Sequence, residues 1–541
     1  MLTTFALTLW ASCGLPADSV FDIATLTSTP LDAEVLKSAE KDGIVTEEVR
    51  YHAEMDGTNR VDIFAFFSYP KGATKLPAFI WNQGGLGQAS TPMTEFGAKR
   101  GYAAMCIDFP MPGYRSTGGY PITSGVDLGD DPKKAPIYHG AVALLKAVSF
   151  LESRKEVDKE RIGMCGSSWG GFYTTLMGGV DPRLRACSAM FGTGSLHLGN
   201  SWWDGGGRSA QRDAAFRERW RTTLDPAFRL PHSKTSIAWF TGSNDFAYWM
   251  PAIVATHGKA RASKHLTILP NWDHGLTPII DEQVFAWLDV HLKGAQPFNE
   301  VKPLLVFKRG DNLIASWEFS GPRKVKSADA MLSPGDDGNW TSRYWLVLEA
   351  KIEKQRCEVA LPPSSLPYYL GGAIVDETGF RYSTSLLRID PKVFGASASK
   401  AVPDYDGCSE WGGFEPEQVT YLKLLAFMDP AVSNDAKEGK QACVLKGTTT
   451  ARNIYFTAGV PHRFSCFLKS EKETDIRVAL AGEFDGKAQV EEKTIRVGTD
   501  WTNATIDYTP PKCVAGGLRA VFIVPEGSSA LLDCASFRPL K

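Results

Sequence analysis

The sequence predicts an α/β fold, a doubly wound and mostly parallel sheet, followed by two all-β units, a β-sandwich and a jelly roll. Three observations predict it. From about residue 45 to 296, short apolar runs alternate with longer stretches of helical period. After Pro297 the texture changes to short alternating runs broken by turn signals such as Pro334-Gly-Asp-Asp-Gly338. The chain has 541 residues, and one domain takes roughly 150, so several units are expected.

In chain order, Met1 to Gly14 form a short apolar run ending in small residues, and residues 1–18 read as a signal peptide for a secreted or periplasmic protein. Residues 30–297 are assigned to the α/β unit. Ala78-Phe-Ile-Trp81, Ala103-Ala-Met-Cys-Ile107, Ile162-Gly-Met-Cys165, Ile237-Ala-Trp-Phe240 and Leu266-Thr-Ile-Leu269 read as its buried strands. Ile137, Ala141, Leu144, Leu145, Val148 and Leu151 recur at helical spacing, and a last helix around Val284 to Trp287 is stopped by Gly294. Residues 298–392 are assigned to the β-sandwich. Gly395 to Pro403 is rich in small residues and reads as a linker, and residues 405–541 are assigned to the jelly roll.

Composition removes several classes of function. Lys and Arg total 59 against 61 Asp and Glu, so no strong field favours nucleic acid or anionic lipid. No stretch has the length and apolarity of a membrane span. Ten cysteines without a single CxxC pair give no support to zinc-ribbon or thioredoxin-like chemistry.

The chemistry is carried by Gly166-Ser-Ser168-Trp-Gly170, a G-x-S-x-G between a buried strand and a helical stretch. That context makes a nucleophile elbow: a sharp turn lifts Ser168 above the sheet, and the two glycines remove side chains that would collide there. Ser167 is excluded because Cys165 and Trp169 flank it. A serine hydroxyl needs a positioned imidazole, itself held by a carboxylate. In chain order the partners after such an elbow are acid, then histidine. Asp245 follows the strand ending at Phe240, and His274 follows the next one, so both stand at strand C-terminal ends. Asp273 is the rival acid, but adjacent side chains in a tight turn diverge, which favours Asp245.

The oxyanion hole is expected from the Trp169 N–H and one N–H of Trp81-Asn-Gln-Gly84-Gly85-Leu-Gly87, with Gly85 as donor and Gly84 as the alternative. Ser201-Trp-Trp-Asp-Gly-Gly-Gly207 reads as an insertion roofing the pocket, with Trp202 and Trp203 lining it. This chemistry requires no metal or organic cofactor.

Gln83-Gly-Gly85, Asp108 to Gly113, Tyr138-His-Gly140, Asp158 to Gly171, Gly242-Ser-Asn-Asp245 and Asp273-His-Gly275 together resemble the acetyl xylan esterase and dienelactone hydrolase branch of the α/β hydrolases. The resemblance covers about residues 45 to 296. It implies Ser168 as nucleophile, Asp245 as acid and His274 as base, acting on an ester such as an acetyl group on a polysaccharide or oligosaccharide. Gln83 departs from the pattern, since many relatives carry His before the paired glycines. The last unit, with Gly413-Phe-Glu415, Asn434 to Gln441, Phe464 to Lys469, Asp500-Trp501 and Leu532-Asp533, is similar to jelly-roll carbohydrate-binding modules. That likeness implies a structural calcium held by Glu415 and Asp533, and a binding module tethered through the linker whose removal should leave hydrolysis of a small soluble ester nearly unchanged. Two other functions share parts of the pattern. A prolyl-oligopeptidase-type serine peptidase has the same elbow and triad order, but no propeller-like repeat precedes this one. A carbohydrate-binding protein with an inactive hydrolase domain is opposed by the intact Ser, Asp and His.

Overall fold

The structure, a computed structural model, describes residues 20–85, 87–121, 128–204, 212–275, 278–395, 412–414, 431–451 and 453–540. The expected signal segment and residues 396–403 of the expected linker lie outside them.

Nine strands form one sheet: β1 (Glu34–Lys41), β2 (Ile44–Asp56), β3 (Asn59–Pro70), β4 (Leu76–Asn82), β5 (Ala103–Ile107), β6 (Val157–Ser167), β7 (Leu184–Met190), β8 (Ser236–Gly242) and β9 (Lys264–Leu269). Their order is β1-β2-β3-β5-β4-β6-β7-β8-β9. The first three strands pair antiparallel, and β3 meets β5 antiparallel. From β5 to β9 every pairing is parallel. The helices are α1 (Ile23–Ser28), α2 (Pro92–Lys99), α3 (Pro136–Ser153), α4 (Trp169–Val180), α5 (Ser201–Asp204), α6 (Ala214–Thr223), α7 (Met250–Lys259) and α8 (Pro278–Lys293).

Parallel strands are covered on both faces, which is why β5 reads as an unbroken apolar run and is buried throughout. α3 opens with Pro136 at its first position, where the missing N–H costs nothing. Its Ile137, Leu144, Val148 and Leu151 pack with Phe172 and Leu176 of α4 against Ile63, Ile80 and Met164 of the sheet. On the other face, Phe285, Leu288 and Leu292 of α8 meet Phe79, Ala104 and Cys165, and Phe96 of α2 packs beside them. The sheet with helices on two faces and six parallel strands after an antiparallel start is the α/β-hydrolase arrangement.

Between Glu300 and Ile389 the strands make two five-stranded antiparallel sheets. This sandwich shares its core with the α8 face, since Trp317, Leu332, Tyr368 and Tyr382 join Trp287 and Phe298. From Ala442 to Pro539 eight successive strands form two sheets. One takes the first, eighth, third and sixth strands, extended by Val432–Ser433, and the other takes the second, seventh, fourth and fifth. That is the jelly-roll order, and it encloses its own core of Phe464, Leu480, Phe522, Leu532 and Phe537. No helix of the described residues is long and apolar enough to cross a membrane.

Candidate active site

Ser168 stands between the end of β6 and the start of α4 with φ 59° and ψ −120°, a backbone conformation that a serine adopts only when its surroundings impose it. What imposes it is visible on each side. The Ser168 N–H donates to the Met190 carbonyl at 2.9 Å, and the Phe172 N–H donates back to the Ser168 carbonyl at 2.9 Å. A Cβ at Gly170 would overlap the Asn82 carbonyl, and one at Gly166 would strike Asn82 as well, so the chain closes this tightly only with glycine there. Ser168 is half-exposed at the turn. Trp169 opens α4, so its N–H is among the first-turn donors that the helix itself leaves unbonded.

Asp245 follows β8 and His274 follows β9, and the structure brings the two side chains together. His274 Nδ1 lies 3.0 Å and 2.9 Å from the two carboxylate oxygens of Asp245. Asp245 is itself fixed, because its Oδ1 accepts the backbone N–H groups of Ala247 at 2.8 Å and Tyr248 at 3.0 Å. Asp273 serves another purpose: its Oδ1 accepts the N–H of His274 at 2.7 Å and of Phe246 at 3.1 Å, so it shapes the turn and does not hold the ring. With Nδ1 taken by Asp245, the imidazole presents Nε2 on its opposite side. No hydrogen bond from Ser168 Oγ to His274 is formed among the described residues, a link that commonly tightens only with substrate bound.

The loop after β4 lies against the elbow through Gly84, whose Cβ position would sit 3.6 Å from the Ser168 Cβ. Gly84 thus lies beside Ser168, and Gly85, next to it, is exposed. The loop is braced from β5. Asp108, fully buried just past that strand, accepts the Ala89 N–H together with Arg115 Nε at 2.7 Å and Nη2 at 3.0 Å. Arg115 Nη2 also donates to the Ala89 carbonyl at 2.6 Å. Gln83 donates from Nε2 to the Gln88 carbonyl at 2.6 Å, a bond within the same loop. A carboxylate is buried at tolerable cost only when paired and hydrogen-bonded, and here that pairing fixes the loop at Ala89.

No family model matches the chain. Over 155 residues it is 26% identical to an acetyl esterase of Xylanibacter ruminicola, a stretch that covers 26% of this chain and 34% of that relative. The chain thus spans about a third of the length of the curated relative it matches. Among solved structures it is similar to an acetyl xylan esterase from Paenibacillus sp. R4, at 19% identity and TM-score 0.42, covering 50% of this chain and 92% of that one. An acetyl xylan esterase from Thermoanaerobacterium gives 15% identity and TM-score 0.41, over 49% and 90% of the two chains. A glucuronoyl esterase from Solibacter usitatus gives 14% and 0.35, over 48% and 86%.

The two tryptophans of the insertion part ways. Trp202 is half-buried and tilts against Trp169 at 5.1 Å and against Tyr248 at 5.1 Å, beside the elbow. Trp203 is 1% exposed and packs edge-on against Phe216 and Trp220, so its place is in the core and not on a pocket wall. The physical reason is α5: neighbouring residues on a helix point about 100° apart, and only one of the pair can face the site. Residues 205–207 of the insertion are outside the described residues. Tyr248, which the sequence did not single out, reaches the Ser168 carbonyl through its hydroxyl at 3.5 Å and stacks toward His274.

In the jelly roll, Glu415 lies outside the described residues. Asp533 is fully buried and accepts the N–H groups of Lys437 at 2.7 Å, Glu438 at 3.1 Å and Cys534 at 2.7 Å. Among the described residues no group of three or more His, Cys, Asp or Glu converges to hold a metal. With Glu415 outside the described residues, the expected calcium site lies partly outside them as well.

The electrostatics of the site are one-signed. Burial disfavours the His274 imidazolium, but the charge and hydrogen bond of Asp245 and the charge of Asp273 outweigh it, so the ring holds its proton above the usual histidine range. Burial and then the charge of Asp245 push the Asp273 carboxyl up to about 6. A base must be neutral to act, so kcat/KM is expected to fall on the acid side as His274 takes up its proton. Asp273→Asn removes a charge that favours the imidazolium, so its pKa drops and the acid limb moves to lower pH. A pH–rate profile of the two proteins checks this, and a shift to higher pH would contradict it.

Proposed function

We propose that the chain is a serine esterase that removes acetyl groups from a polysaccharide or oligosaccharide. The observation that supports this reading best is a conjunction: a strained serine elbow after β6, and an Asp245–His274 pair built from the ends of β8 and β9 on the same parallel sheet. In this mechanism Ser168 Oγ attacks the acetyl carbonyl while His274 Nε2 takes its proton. The N–H of Trp169 and of Gly84 or Gly85 receive the oxyanion, and Asp245 steadies the imidazolium. His274 then gives the proton to the departing sugar alcohol. Water, deprotonated in turn by His274, releases acetate from the acyl-serine. Each step draws on side chains and amides of this chain.

Acetyl as the acyl group is supported by the similar stretch shared with an acetyl esterase. Export fits a polymeric substrate, because polysaccharides are met outside the cytoplasm. A panel of an aryl acetate, an aryl butyrate, acetylated xylo-oligosaccharides and peptide amides tests the reading. Turnover of the acetylated sugars with acetate release is expected. Peptide amides cleaved faster than any ester would assign the site to a peptidase, and no turnover of any substrate would leave a hydrolase fold without the activity.

A further inference from the structure

The loops that carry Asp245 and His274 are clamped to one segment of the β-sandwich, residues 339–345. Asn244, next to Asp245 and 1% exposed, donates from Nδ2 to the Arg343 carbonyl at 2.7 Å. Asn271, three positions before His274 and 3% exposed, pairs with both main-chain polar groups of one residue: its Nδ2 donates to the Trp345 carbonyl at 2.7 Å and its Oδ1 accepts the Trp345 N–H at 2.8 Å. Ser243 joins the two, receiving the Asn271 N–H at 2.9 Å and donating to Asn244 Oδ1 at 2.6 Å.

The segment is anchored on its own side. Arg343 is buried and donates to the carbonyls of Pro334 at 3.2 Å, Asp336 and Gly338 at 3.1 Å, with its guanidinium over Trp340 at 5.0 Å. Its outer edge belongs to the jelly roll. Thr341 and Ser342 hydroxyls donate to the Gly516 carbonyl at 3.1 Å and 2.5 Å, the Asn339 N–H donates to Val514 O at 2.9 Å, and the Phe456 N–H donates to Ser342 O at 2.8 Å. The jelly roll is therefore bonded to the strap under the acid and histidine loops, where the sequence suggested a linked module without a part in small-ester hydrolysis.

We propose that Asn244 and Asn271 are positioning residues that set the Asp245–His274 spacing by tying both loops to the 339–345 strap, with the jelly roll as the outer brace of that strap. The proposal rests on the esterase reading of Ser168, Asp245 and His274. An error of about 1 Å in a reacting group costs on the order of 100-fold in rate, so a clamp of this kind acts on turnover without touching substrate.

The test uses the full chain and an aryl acetate, separating kcat from KM and recording the acid limb of the pH profile for Asn244→Ala, Asn271→Ala and Ser342→Ala. Asn299→Ala is the matched control, because buried Asn299 makes the same two-way bond with the Arg323 backbone, at 2.8 Å and 3.0 Å, outside the site. The two clamp variants are expected to lose about 10- to 100-fold in kcat with KM within about threefold. Their acid limb should move to lower pH, because His274 loses part of the Asp245 charge that favours its proton. Ser342→Ala should move the same way by less. Asn299→Ala should melt earlier and keep both kcat and the limb. Unchanged kcat and limb in both clamp variants, with Ser168→Ala inactive, would overturn the proposal and leave the esterase reading standing. An equal loss in Asn299→Ala would overturn it too, since any buried amide would then do the same. Turnover retained in Ser168→Ala would instead sink the reading on which the proposal rests. Should Asn271→Ala fail to fold, Asn244→Ala, which leaves the Trp345 pairing intact, decides between these outcomes.

Discussion

Ser168→Ala is expected to bring ester hydrolysis down by about 10⁴- to 10⁶-fold, to the level that binding and oxyanion contacts alone sustain. The loss is this large because the nucleophile and its base act as a unit, and a histidine without a hydroxyl to activate has nothing to deliver. The backbone of the elbow is held by the Met190 carbonyl and by the glycines around Asn82, so the substitution leaves the turn in place. Alanine carries the same Cβ into the turn as serine, and the melting temperature should stay within a few degrees. Ser167→Ala is the internal control. That residue is the last of β6, in register with Met190 of β7, and its loss should keep most of the rate. Burst amplitude and steady-state turnover on an aryl acetate measure both. Equal activity in the two variants would remove Ser168 from the reaction.

How much of this could be read before the structure depended on whether the signal was local. The elbow is local: Gly166, Ser168 and Gly170 stand between an apolar run and a helical one, and the close packing at Asn82 is what requires the glycines. β5 coincides with its apolar run, and β4, β6, β8 and β9 contain theirs, because strands buried on both faces leave no polar alternation. β7 went unread although it is equally buried over Ala186 to Met190. Its first residues, Leu184 and Arg185, alternate burial and exposure, and only three residues separate them from α4. That Gly84 lies against Ser168 is a matter of angstroms that spacing does not encode. Trp202 and Trp203 looked alike as neighbours and differ only in the helix face each occupies. Asn244 and Asn271 gave no signal because their partners lie about 74 to 99 positions away in another unit, and a polar residue in a turn already has a sufficient local reason to be there. A sign was present at Asn271 all the same: its φ of 52° is left-handed, a conformation that asparagine tolerates better than most residues.

Asp245→Asn is the second large effect, expected at about 10⁴-fold in kcat with little change in KM. The carboxylate makes two kinds of bond, and the substitution separates them. Toward the backbone, Oδ1 accepts from Ala247 and Tyr248, and an amide oxygen can keep those bonds and so keep the turn. Toward His274 the carboxylate spans Nδ1 with both oxygens, fixes the proton on that nitrogen and lends its charge to the imidazolium. An amide provides no charge, and if its NH₂ faces the ring it forces the proton onto Nε2, where the base must be empty to accept from Ser168. The base is then both in the wrong tautomer and weaker, since the largest favourable influence on its proton is gone. Asp273→Asn removes only a neighbouring charge and should keep the rate within roughly tenfold. The two variants thus part in opposite manners, one in rate and the other in the pH at which the rate falls. A kcat loss in Asp273→Asn equal to that of Asp245→Asn, with the acid limb unmoved, would transfer the orienting role to Asp273 and contradict the geometry in which its oxygen faces the amides of Phe246 and His274.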